Sequence, residues 1–262
     1  MAFDDKALIE IEAHMKFIKK NARCAIYSNY FKPKIYQAFL PTEVNDEAIV
    51  FMDRDTDFHR LYYYAVSLSN LSDILRSVRV SPVVVDILSK VQTEDIEKVF
   101  YDGGFKKYAV LTRMINNSLR KFPRVEPLYY ANEKEWQVII DVLNIGLDRY
   151  TGHFPQQAEL IDLIRDKKVI VAKKENTITG LIMYQVMGKQ CHFYQWYSAK
   201  ENDASDGANL LINLYAVLDE LGIRKGYLWV NDDNAPVMKI HQRFGFKPDG
   251  LKDFIYFKQV GE

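Results

Sequence analysis

What this sequence lacks rules out most covalent and metal scaffolding. Its only cysteines are Cys24 and Cys191, with no CxxC spacing and no nearby pair of histidines. That pattern points away from zinc or any other metal, and a disulfide framework is not needed at this length. A reduced, cytoplasmic chain is therefore expected. Excess charge is lacking too, since Lys+Arg is 35 and Asp+Glu is 35. The chain as a whole then exerts no pull on nucleic acid or on an anionic membrane, and neither is expected as a partner. No uncharged apolar run approaches the ~18 residues of a membrane span. The opening Met1-Ala2-Phe3-Asp4-Asp5-Lys6 is acidic and then amphipathic, unlike a secretory signal. Aromatics are plentiful instead: 17 Tyr, 15 Phe and 3 Trp, residues that suit strand faces and pocket walls.

The 262 residues suit two domains of about 130 residues each better than one. With 48% hydrophobic and 27% charged residues, the chain can bury a full core. Leu8, Ile11, Met15 and Ile18 recur at helical spacing and predict a helix over 4–20. Short strands are expected over 23–28, 35–40, 48–53 and 59–68, the last carrying Tyr62-Tyr63-Tyr64. A helix over 69–79 follows, with Ser69 or Ser72 as N-cap, then a strand over 83–88 introduced by Pro82. Thr93-Glu94-Asp95 opens a helix that Gly103-Gly104 ends, and a strand returns over 107–115. Residues 116–127, with Pro123 and Pro127, read as a linker. Beyond it come helices over 133–147 and 158–165, separated by a loop over 148–155, and strands over 169–173, 181–187 and 191–198.

The stretch 191–257 organises the second half. It reads as a strand, a polar loop, a helix over 207–221, a strand over 225–230, a helix over 235–244, Gly245-Phe246 and a strand over 253–257. The first half ends in the same order of elements, with Gly104-Phe105 where the second has Gly245-Phe246. Between its aromatic strand and the next strand, however, the first half has no Gly-containing loop able to wrap a phosphate. The second half has a roomy polar loop there, which meets its helix at Ser205-Asp206-Gly207-Ala208. A helix start of that kind offers unpaired N–H groups and the positive end of the helix dipole to an anionic ligand. The first half thus reads as a copy that keeps the scaffold and has lost the ligand site.

The run from Asn234 to Phe246 resembles the late motif of the GCN5-related N-acetyltransferase family, N-x-x-A-x-x-L-Y-x-x-x-G-F. It matches in Asn234, Gly245, Phe246 and the apolar Val237, Met238 and Ile240, while His241 stands where the family carries Tyr. The preceding loop is similar to the family's pyrophosphate loop, R/Q-x-x-G-x-G/A, with Asn202 at the Arg/Gln position, Ser205 at the first Gly and Gly207 at the second. The resemblance implies an α/β fold of α+β type: two tandem domains, 1–122 and 123–262, each with a mixed, mostly antiparallel central sheet and flanking helices. The first would be the degenerate copy and the second an acyltransferase.

It further implies acetyl-CoA, or another acyl-CoA, as cofactor and a small-molecule amine or amino-acid-like acceptor, in a monomer or homodimer. Tyr197 and Ser198 would pair with the cofactor's pantetheine arm. Asn202, Ser205, Asp206, Gly207, Ala208 and Asn209 would cradle its pyrophosphate, and Asn234 would hold the arm. Two of these positions have a purely local alternative: Asp206 and Asn234 are both good helix N-caps. His241, whose imidazole can donate a proton, is the candidate for protonating the departing thiolate. Tyr150 and Phe154 in the 148–155 loop would cover the acceptor. No carboxylate stands on the strand over 191–198 to act as base. Residues 192, 194, 196 and 198 are expected on one face of that strand, and 193, 195 and 197 on the other. Two other readings stay open: a transferase of the same superfold using aminoacyl-tRNA or an acyl carrier protein, and an inactive binding or scaffold module.

Overall fold

Alternating apolar runs and helical stripes close into two units, one formed by Met1–Thr112 with Gly250–Glu262 and the other by Arg113–Asp249. The computed structural model describes residues 5–23, 28, 30–31, 43–55, 57–91, 93–199 and 204–259; the side chains of 5–8, 43 and 204–205 are outside that description. The strand expected over 35–40, and all but the ends of the one expected over 23–28, lie outside the described residues.

The first unit opens with helix α1 (Asp5–Asn21), whose Met15 and Ile18 are buried against Ile49, Phe51, Tyr62 and Tyr64. Strands β1 (Glu43–Asn45), β2 (Ala48–Arg54) and β3 (His59–Ala65) pair antiparallel in turn. Helix α2 (Leu68–Ser77) leads to β4 (Val83–Ser89), which lies parallel to β3, and α3 (Glu94–Asp102) follows. Ser67, not Ser69 or Ser72, is the N-cap of α2, because β3 stops at Ala65 and the helix starts at Leu68, one residue sooner than expected. Strand β5 (Lys106–Asn116) carries the chain out of this unit. The unit is completed from the far end of the sequence: residues 252–258 of β11 (Lys247–Lys258) pair antiparallel with all of β4.

The second unit has β6 (Tyr129–Tyr130), a 3-10 turn at Glu133–Glu135, and helices α4 (Trp136–Gly146), α5 (Arg149–Gly152) and α6 (Gln157–Arg165). Strands β7 (Val169–Lys174), β8 (Thr177–Met187) and β9 (Gln190–Ser198) form an antiparallel meander. Helix α7 (Ala204–Glu220), strand β10 (Lys225–Asn231) and helix α8 (Ala235–Arg243) follow, and β10 lies parallel to β9. Two apolar clusters sandwich this sheet. On one face Leu210, Leu214, Leu218 and Phe246 pack on Ile182, Phe193 and Leu228; on the other Ile139, Leu143 and Leu160 pack on Leu181 and Met183. Among the described residues no helix is long and apolar enough to cross a membrane.

The repeat seen in the order of elements extends to single hydrogen bonds. In each unit a helix ends in a glycine with positive φ, Gly104 at 84° and Gly245 at 92°, a region that costs glycine nothing. In each, the buried Phe that follows donates its N–H five residues back: Phe105 to Phe100 O at 2.9 Å, and Phe246 to His241 O at 3.1 Å. His241 therefore occupies the place of Phe100, a residue with no exposure at all.

The first unit also buries charge. Arg60 on β3 donates through Nη1 to both oxygens of Asp86 on β4, at 3.1 and 2.8 Å, and Asp253 on β11 is buried beside them. Burial, and then the Asp86 carboxylate, hold the Asp253 carboxyl well above the usual carboxylate range. Its proton is shared with Asp86, since two carboxylates in contact cannot both ionise. Above about pH 4 the unfolded chain ionises Asp253 while the folded chain does not, so this group opposes folding increasingly as pH rises. Asp253→Asn is expected to raise the midpoint of thermal unfolding at pH 8 more than at pH 5. Asp86→Asn, which removes the carboxylate that accepts both bonds from Arg60 Nη1, should destabilise the fold in urea unfolding, by up to about 3–5 kcal/mol.

Candidate active site in the second unit

Parallel strands must be held by a crossover, and β9 and β10 are held at one end only. Their paired positions are Gln190 with Lys225, Cys191 with Gly226 and His192 with Tyr227, after which the pairing stops although both strands continue. On its other edge β9 remains paired with β8 as far as Ser198. The result is a gap that opens along β9 from Phe193 toward Ser198.

A bulge sits where the gap begins. Met183 faces Gln195 and Tyr184 faces Phe193, so Tyr194 is the extra residue on β9. This corrects the strict alternation expected for the strand. Phe193 and Trp196 lie with the cluster under α7 and α8, whereas Tyr194 and Tyr197 lie with the cluster under α4 and α6. One inserted residue reverses the faces beyond it.

Helix α7 closes over the far end of β9. It begins at Ala204, so Asp206 and Gly207 stand inside its first turn; Asp206 is not the N-cap. Gly207 is buried, and a Cβ there would lie 3.3 Å from Ser198 Cβ, 3.4 Å from Ser198 Oγ and 3.5 Å from Trp196 Cζ2. The absent side chain leaves the first helical turn close against Ser198 and Trp196. Ala208 and Asn209, half-buried, begin the next turn. Asn202 lies outside the described residues, as does the side chain of Ser205.

Beneath this turn two polar atoms are buried without hydrogen-bond partners among the described residues: His241 Nδ1 on α8 and Trp196 Nε1 on β9. Their rings meet edge to face at 5.3 Å between centroids, and Phe246 lies 5.8 Å from the imidazole. Burial pushes the His241 pKa down to about 4, so the imidazole is neutral at neutral pH. A buried donor or acceptor left unpaired costs on the order of 1–3 kcal/mol, and the equivalent residue of the first unit is an apolar Phe. Asn234 caps α8 by accepting from the Val237 N–H at 3.3 Å, and its own side is exposed.

The loop expected over 148–155 contains the short helix α5, capped by Asp148 through the Tyr150 N–H at 3.0 Å. It is tied to β9 by two side chains that sequence reading passed over: Tyr194 Oη donates to His153 O, and Gln195 Nε2 donates to Gly152 O. His153 takes a left-handed φ of 47° to make the turn. Phe154 packs against the core under α4 and α6, so it supports this loop, while Tyr150 is half-buried in α5. The Tyr197 ring covers Gly146, where a Cβ would come within 2.0 Å of it. The signal for these anchors was the aromatic run on β9; its direction depended on the bulge.

His192 lies at the root of the gap, stacked on Tyr227 at 4.5 Å and 5° between planes. Burial, and secondarily His153, push its pKa down to about 3. Both His192 and His241 stay neutral in the folded chain while the unfolded chain protonates near pH 6.5, so stability is full above pH 6.5 and is lost as pH falls toward 4 and 3. At about 1.4 kcal/mol per pH unit, each should withdraw roughly 3 kcal/mol between pH 6.5 and 4. Urea unfolding at a series of pH values is expected to show this slope, with His192→Phe and His241→Phe each flattening it.

No protein-family model matches this sequence, and neither does any curated protein. Solved structures do. The GCN5-related N-acetyltransferase from Kribbella flavida aligns with a TM-score of 0.61 at 10% identity, over 92% of this chain and 97% of that one. The tandem GNAT protein from the clavulanic acid biosynthesis pathway aligns with a TM-score of 0.60 at 10% identity, over 99% of this chain and 96% of that one. The GCN5-related N-acetyltransferase from Sphaerobacter thermophilus gives 0.59 at 11% identity, over 82% and 78%. At such identities the likeness is one of architecture, and in architecture the chain has the GCN5-related N-acetyltransferase fold, shared along nearly its whole length with a tandem protein.

Proposed function

We propose that the second unit is an N-acyltransferase that moves an acetyl or other short acyl group from acyl-CoA to a small amine or amino-acid-like acceptor by direct transfer. The observation that carries this reading is the gap between β9 and β10, roofed by a helical turn in which Gly207 leaves no side chain over Ser198. An extended arm can pair with the free edge of β9 there, and N–H groups of the α7 first turn suit the pyrophosphate. Acyl-CoA would supply the activated acyl group as a thioester. Tyr197, Ser198, Gly207, Ala208 and Asn209 would hold it, and the Tyr150-bearing loop pinned by Tyr194 and Gln195 would cover the acceptor.

In this reading His241 assists the leaving sulfur. The amine forms the new C–N bond as the C–S bond breaks, its surplus proton passes to solvent, and the departing thiolate takes a proton from solvent in turn. A pKa of about 4 means that the imidazole is neutral, so its N–H would stabilise the developing thiolate by a hydrogen bond and keep its own proton. Its unpartnered Nδ1 is the kind of buried polar atom that a binding partner would satisfy. The cost of burying it has no structural return that Phe100 does not already provide in the first unit.

Coenzyme A should raise the unfolding temperature of the full chain in a thermal-shift assay, and a chain indifferent to acetyl-CoA and longer acyl-CoAs would overturn the reading. His241→Phe should fold at least as stably as the parent at pH 7 while kcat falls about 10²-fold and KM for acyl-CoA changes little. The parent's kcat should show no acid limb near pH 6.5 arising from His241. Undiminished turnover in His241→Phe would remove that residue from the mechanism.

A further inference from the structure

The first unit has the same parting of parallel strands, and there it is occupied. Strands β3 and β4 pair at His59 with Val83, Arg60 with Val84 and Leu61 with Val85, and then stop. The His59 N–H donates to Pro82 O at 2.8 Å, on the β4 side, so the odd-numbered residues of β3 turn their backbone groups toward β4. The next of these past the last pair is Tyr63. Its N–H donates to Ser28 Oγ at 3.0 Å, and Ser28 Oγ donates to Tyr63 O at 3.3 Å. Ser28 has no solvent exposure. A second tie from the same region joins the Arg23 N–H to Val66 O at 2.7 Å.

We propose that Ser28 is the built-in occupant of the first unit's strand gap. One hydroxyl both accepts from and donates to the backbone of Tyr63, the two bonds that the amide of an extended ligand arm would make. The helix start is tighter as well. Only Val66 and Ser67 separate β3 from α2, too few residues for a loop to wrap a phosphate, and the Ser67 side chain already takes the Asn70 N–H. The chain then holds one acyl-CoA, in the second unit; this count rests on the reading of that unit given above.

Amide exchange on the full chain tests the occupant directly. The Tyr63 amide should exchange as slowly as that of Leu61, which lies in the paired stretch. Ser28→Ala should speed Tyr63 at least ~10-fold, and Ser28→Thr should leave it within ~3-fold, with Ile182 of the second unit unchanged in both. Equal Tyr63 protection in the parent and Ser28→Ala overturns the proposal. So does a Tyr63 amide that exchanges in the parent like an exposed one, a result that needs no variant to fold. Calorimetric titration with coenzyme A should give one site per chain, and none in Gly207→Trp. Two sites in the parent, or a site surviving in Gly207→Trp, would place coenzyme A in the first unit and overturn the proposal. No binding at all, with Tyr63 still responding to Ser28→Ala, would sink the acyl-CoA reading of the second unit and leave the occupant standing.

Discussion

Two parallel strands that stop pairing while both continue leave backbone donors and acceptors inside a protein, and such groups must find partners. The architecture of each unit follows from that constraint. The gap between β9 and β10 needs β8 on one side to keep β9 straight, a bulge at Tyr194 to redirect it, and α7 to shelter its far end. In the first unit a serine from the N-terminal segment meets the same need between β3 and β4. The two units present one problem with two kinds of partner, one supplied by the chain and one, in our reading, by a ligand.

The two helix ends make a similar contrast. Phe100 and His241 stand at equivalent points of equivalent turns, each receiving the N–H of the Phe five residues on. Phe100 completes an aromatic core with Phe105 and Tyr256. His241 sits beside Trp196 and Phe246 with a ring nitrogen unpaired and its pKa pushed down to about 4. Stability favours the first arrangement, and a site that must handle a proton or a polar ligand favours the second. The unit that keeps the imidazole is also the one with a glycine in its helical roof.

Most helices and strands were legible because their apolar period is local: α1, α3, α6, β4 and β10 lie within a few residues of where spacing puts them. The late motif was legible for the same reason, since an N-cap, a helical stripe and a positive-φ glycine are all short-range features. The faces of β9 were not. Alternation presumes a regular pleat, and the bulge arises from how β8 and β9 register, which neither strand encodes alone. The start of α7 was misplaced by three residues because Gly207 read as loop, whereas its lack of a side chain serves close packing on Ser198 and Trp196. The role of Phe154 as support for its loop likewise needed the core around it to be visible.

By itself the sequence determined the order of elements, the likeness of that order in the two halves and the short list of polar residues near the second half's turns. Those are consequences of local spacing, of 3.6 and 2 residues, and of glycine at positive φ. Tertiary structure alone decided that residues 252–258 pair with β4, that Arg60, Asp86 and Asp253 share one buried site, and that Ser28 meets Tyr63. Each of these joins residues far apart in the chain through backbone or charged groups that burial strips of water. Their pairing is set by the need to satisfy those groups in three dimensions, and no one-dimensional period records it.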